Sequence, residues 1–260
     1  MRKYPLRRGF SAAVIAVVCV MLVTATAYAA WQFLQPADVA EQVGDNALVA
    51  AFNSDSAINI NQSVRSGDYI FTLLAVVNGQ DISDMPHYSN GDLQNDRTYA
   101  VLAIENADGT AMSDAYYNDI TFFASPLVKG LMPWLVNAAT LHGSYSEKVT
   151  DGILYRLVQC DNVAVFADRG LYFAVNTGSF FNNEAFVYDE TAGTVAVNPD
   201  FAGASAVFAL PMEAGLADSA KAADMIKNLY PTESEAIPQN QGAEAPALGA
   251  PALLQQTGGD

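Results

Sequence analysis

From residue 144 to residue 210 the sequence alternates short apolar, β-branched runs with tight turns, and this punctuation restricts the fold more than any other feature. The runs 144–149, 153–160, 163–167 and 170–176 are separated by Asp151-Gly152, Asp161-Asn162 and Asp168-Arg169-Gly170. Asp, Asn and Gly adopt the backbone conformations that reverse a chain within a few residues. Short strands joined by such turns predict an antiparallel sandwich. A further hairpin is expected from 185–188 and 194–197, with a closing strand at 206–210.

The preceding segments extend the pattern. Pro36 suits the first position of a helix carrying Val39, Ala40 and Val43, which Gly44 stops. Asp45 or Asn46 can cap a second short helix through Leu48, Val49 and Phe52. Ile58, Ile60 and Val64 alternate with polar residues as a half-buried strand does. Ser66-Gly67-Asp68 turns the chain into 69–77, apolar on both faces like a central strand. Residues 78–97 read as a long surface loop, 98–105 as a strand and 121–124 as a short one. Residues 126–140 contain Pro126 and Pro133 among apolar residues and are expected to be extended, partly strand-like core. Asp218 can cap a last helix with Ala222, Met225, Ile226 and Leu229 on one face. Leu73, Val101, Leu157 and Phe173 are expected in the core.

The N-terminus has a different character. Arg2, Lys3, Arg7 and Arg8 precede an uncharged run over 10–30, and no acidic residue occurs before Asp38. That run spans about 30 Å as a helix, enough to cross a bilayer. Trp31 and Phe33 follow where an interfacial aromatic belt would lie. The favoured reading is four parts: a basic cytoplasmic flank (1–9), a transmembrane anchor (10–30), an extracytoplasmic β-rich domain (31–230) and a disordered tail (231–260). The alternative is a signal sequence cleaved at Ala29, where Ala27-Tyr28-Ala29 has the small-x-small form, giving a secreted protein. In the tail, Pro, Ala, Gln and Gly make up 18 of 30 residues, too little to bury for ordering itself.

Charge narrows the partners. The 28 acidic and 12 basic residues give −16 overall. Removing the first 29 residues takes four cations and no anion, leaving −20. Such a chain cannot assemble the basic face that nucleic acid needs. The expected partners are the membrane through 10–30 and an unknown envelope protein or small ligand.

No pattern selects a catalytic, cofactor or metal residue. His87 and His142 lack ligand spacing and read as surface turn residues. The acid pairs Asp81/Asp84, Asp92/Asp96, Asp114/Asp119 and Asp189/Glu190 sit in turns, and none matches a calcium loop. Cys19 falls in the apolar run, and Cys160 reads as a small buried strand residue. Tyr116, Tyr117, Phe122, Phe123, Phe180 and Phe181 could form a carbohydrate-stacking platform, although adjacent aromatics usually place one ring inward.

Several stretches resemble a known group of sequences. These are Thr26-Ala27-Tyr28-Ala29-Ala30-Trp31, Gly44-Asp45, 66–74, 97–101 and 155–170 with Cys160-Asp161-Asn162 and Asp168-Arg169-Gly170. They resemble an uncharacterised family of bacterial extracytoplasmic domains found after a single membrane helix in anti-sigma-factor-like proteins. The resemblance implies an immunoglobulin-like antiparallel β sandwich with short flanking helices and a sensing role, with no catalytic residues to carry over. Nine residues before the apolar run cannot hold a sigma-binding domain, so the likeness is to the sensor half alone. The expectation is a non-enzymatic, membrane-anchored domain for sensing or protein interaction in cell-envelope signalling. The alternative is a secreted or surface module that binds a ligand such as a glycan.

Overall fold

The computed structural model describes residues 33–89, 91–113 and 121–229. The expected anchor over 10–30, the tail over 231–260, Cys19, Tyr116, Tyr117, Asp114 and Asp119 lie outside the described residues. Among the described residues, no helix is long and apolar enough to cross a membrane.

Two short helices come first, α1 (Pro36–Gln42) and α2 (Asn46–Phe52). Pro36 opens α1, and the Asp45 carboxylate caps α2 by accepting from the Leu48 amide at 2.9 Å. Gly44 makes the reversal between them with φ +79°, a conformation costly for a side chain with a Cβ.

Five antiparallel strands form the larger sheet. They are β1 (Ile58–Ser66), β2 (Tyr69–Gln80), β5 (Asp96–Asn106), β7 (Ser144–Thr150) and β8 (Ile153–Asp161), in the order β1-β2-β5-β8-β7. Between β2 and β5 the chain makes a small hairpin, β3 (Tyr88–Ser89) and β4 (Asp92–Leu93). The expected loop over 78–97 is therefore shorter, since β2 runs to Gln80 and β5 starts at Asp96, and it carries this hairpin. The β7–β8 turn places Asp151 and Gly152 at φ +51° and +79°, the twist that joins adjacent strands directly.

The smaller sheet has three antiparallel strands, β6 (Phe122–Val128), β9 (Leu171–Thr177) and β12 (Ser205–Leu210), in the order β12-β9-β6. A second hairpin, β10 (Phe186–Asp189) and β11 (Thr194–Val197), covers its outer face through Phe186 and Val195 against Leu127 and Ala174. Helix α3 (Ser219–Leu229) ends the described chain. Asp218 caps α3, its carboxylate accepting from the Ala220 and Lys221 amides. Of the expected α3 face, only Ala222 is buried; Met225, Ile226 and Leu229 are half-buried.

The layers follow from alternation. Tyr99, Val101, Ala103, Tyr155 and Leu157 point to one side of the larger sheet and pack with Leu48 and Phe52 of α2 and Val39 of α1. The other side meets the smaller sheet, where the Phe122 ring lies edge-on to Tyr69 and Phe71, at 4.9 and 5.8 Å between centroids. A bulge in β2 between Leu73 and Ala75 shifts the alternation. Phe71 thus faces the smaller sheet while Ala75 and Val77 face the helices. One side of the sandwich is closed, since the Ser205 amide on β12 donates to Ser66 Oγ at the end of β1 at 2.9 Å.

Two expectations are corrected. Residues 163–166 form a 3-10 helix and not a strand. The Asn162 side chain accepts from the Ala164 amide at 2.9 Å, and this local bond overrides the β preference of the valines. Residues 126–140 are extended only as far as Val128. Beyond it the chain is a series of turns gathered by Asn137, which donates to the Pro133 carbonyl at 2.9 Å and accepts from the Ala139 amide at 3.0 Å. Pro126 is tolerated because β6 is an edge strand.

Candidate functional site

Polar side chains converge where β5 begins and β8 ends. Arg97 and Asp161 are register partners at that end of the sheet. Arg97 is buried, at 1% exposure. Its Nη1 donates to Asp161 Oδ1 at 2.7 Å and its Nη2 to the His142 carbonyl at 2.8 Å. The other carboxylate oxygen of Asp161 is 2.7 Å from His142 Nδ1. One carboxylate thus joins a buried guanidinium to an imidazole that is half exposed.

His142 reaches this position through a left-handed backbone, φ +49°. The neighbouring Leu141 carbonyl accepts from the Asp161 amide at 2.9 Å, which fixes the loop against β8. His87 comes from the hairpin loop on the opposite flank. Burial lowers its pKa most, Arg97 and His142 lower it further, and Asp161 opposes them. The chain's two histidines therefore share one electrostatic neighbourhood.

Two hollows flank the cluster. One of about 210 Å3 lies under the 81–95 loop, floored by Arg97 and Tyr99 and walled by Ser83 and His87. Burial raises the Tyr99 pKa. The second, of about 400 Å3, lies between the sheet end and α3, beside His142, Asp161 and Asp96. The Lys221 ammonium on α3 bonds Asp96 at 2.8 Å beside it. Among the described residues, no group of three or more His, Cys, Asp and Glu could hold a metal ion. Chemically, the cluster can hold an imidazole in one orientation beside a carboxylate.

A second set lies where β7 of the larger sheet and the start of β6 line a common hollow. Tyr145 and Phe180 are 54% and 76% exposed. Both line this apolar hollow of about 170 Å3, with Phe122 and Val158. Arg156 lies there at 2% exposure, its guanidinium 3.9 Å below the Tyr145 ring centre. It also donates to Glu147, its register partner, and to the Phe122 carbonyl on β6.

The structure separates the aromatic residues singled out from sequence. Phe122 and Phe123 are buried, and Phe181 is half-buried, stacked on Phe186 at 5.3 Å. Phe180 alone of the described four projects into solvent. The acid pair Asp92/Asp96 and His142 border the larger hollow, Asp81/Asp84 and His87 the smaller, while Asp189 only caps its own turn. Cys160 is fully buried, and burial pushes its thiol up to about 12. Sequence reading missed Arg97, Arg156 and Tyr145. Arg156 carried a legible signal: a single cation between Leu154-Tyr155 and Leu157-Val158 needs an internal partner. Neither a family model nor a curated protein nor a solved structure matches this chain.

Proposed function

We propose that the chain is a non-enzymatic, membrane-anchored extracytoplasmic domain that senses or binds a protein partner in cell-envelope signalling. The observation that carries this reading is how near the packed core comes to the uncharged run. Phe33 and Leu34 pack on the helix-side core, and the Leu34 amide donates to the Tyr155 hydroxyl at 3.0 Å. Side chains packed against the core thus occur within three residues of the end of the uncharged run 10–30. A basic flank, a membrane-length run and a core-packed residue close behind it support a module held at a membrane surface. The resemblance to anti-sigma-factor-like sensor domains points the same way.

The immunoglobulin-like class fits in the sense of two stacked antiparallel sheets. The strand order is different, because an immunoglobulin domain sends its third strand to the opposite sheet. Here β1, β2 and β5 are successive neighbours in one sheet.

The test is the N-terminus of the native protein in separated membrane and medium fractions, read by mass spectrometry. Chains retaining residues 1–29 in the membrane fraction are expected. Chains that begin at Ala30 in the medium would overturn the anchored reading. They would favour the alternative, a secreted ligand-binding module, for which Tyr145 and Phe180 beside one hollow offer two rings for stacking on a sugar.

A further inference from the structure

The hairpin β3–β4 carries an apolar surface that the fold does not use. Met85, Tyr88 and Leu93 are 46%, 63% and 51% exposed. Tyr88 and Leu93 are cross-strand partners, so their side chains share one face.

The hairpin is rigidly mounted. The β2–β5 ladder ends at Gln80 and Asp96, and the Asp81 amide continues it by donating to the Asn95 carbonyl at 2.8 Å. The Gln94 amide donates to the His87 carbonyl at 2.7 Å. From the other side, the buried Asp45 carboxylate accepts from the Asp84 amide at 2.9 Å and from the Ser83 hydroxyl. The apolar face is therefore presented with little ordering left to do on binding, which favours its use as a contact.

Its border is acidic. Asp81, Asp84 and Asp92 flank the apolar residues, and no Lys or Arg occurs between 81 and 96, whereas Asp96 is already paired with Lys221. A second copy of this chain would set the same aspartates against each other. An anionic lipid surface would be repelled. An apolar centre with an acidic border complements a partner with apolar side chains bordered by cations.

We propose that the β3–β4 hairpin is a docking face for a cationic amphipathic peptide segment. Leu-type side chains would rest on Tyr88, Leu93 and Met85, with Lys or Arg against the aspartates. This rests on the interaction reading above and names the chemistry of the partner.

The test uses the full chain in phosphatidylcholine nanodiscs, with empty discs as the blank. The probe is a 14-residue peptide of alternating Lys and Leu; the control has Ser in place of Leu. Saturable binding of the Lys/Leu peptide is expected, weaker at higher salt and several-fold weaker for Asp92→Asn. Tyr88→Ser with Leu93→Ser should weaken it by about tenfold or more, as removal of central aromatic contacts does. Tyr88→Gln alone should shift it in the same direction should the double variant melt early. Equal binding of the Lys/Ser control, or unchanged affinity in both hairpin variants, would overturn the proposal. Native chains found only in the medium would sink the anchored reading and leave this binding result standing.

Discussion

The His87 imidazole sits below its ordinary value of 6.5, first because it is partly buried and next because Arg97 is near. The unfolded chain therefore binds a proton more readily than the folded one, and stability is linked to pH through that difference. The contribution is complete above about 6.5 and is lost as pH falls through the folded value. Denaturant unfolding at pH 7.5 and pH 5 should show wild type losing more stability on acidification than His87→Gln. Equal losses would mean that His87 is not held in this partly buried place beside Arg97. At this scale the sequence was least informative. Arg97 and Asp161 are 64 residues apart and meet only because β5 and β8 pair in one register. His142 joins them through a positive-φ backbone that its local sequence does not announce. A turn histidine was legible; its partner was not.

Among the elements, β2 is buried over most of its length. Leu73 is fully buried, at 0%, and replacing it with Ala should cost about 2–5 kcal/mol through lost burial and a cavity. Chemical denaturation measures this directly, and a neutral change would contradict its burial. Most strands were visible in sequence because alternation and turn residues act locally. The strand over 194–197, the β7–β8 turn and the cap at Asp45 all rest on contacts a few residues apart. The failures share a cause as well. Asn162 rewrites the following valines with one side-chain bond, and Asn137 does the same beyond Val128. The β2 bulge was invisible, because a strand apolar on both faces looks the same with the extra residue or without it.

For the molecule as a whole, Cys160 reports cooperativity. It is completely buried between the sheets, with its thiol pushed up to about 12, so the native state should not react with a thiol reagent at pH 8. In a Cys19→Ser background, labelling should appear only with unfolding, and its denaturant midpoint should coincide with that of the far-ultraviolet signal. Fast labelling under native conditions would show that the sandwich opens locally at β8. The two stacked sheets were legible from turn spacing, whereas the helix layer over one sheet and the hairpin layer over the other were not. Those outer layers depend on which face each strand turns outward.

The points of entry and exit have a mechanical meaning. Leu34 is tied to Tyr155, which pairs with Ala103 on β5, whereas Lys221 of the last helix is tied to Asp96 at the start of β5. Seven residues of strand separate these ties, about 23 Å at 3.3 Å per residue. While both ties hold, tension between residues 33 and 229 acts along β5 and β8 and loads their cross-strand bonds together in shear. Two attachments so placed resist traction better than two that leave from the same edge.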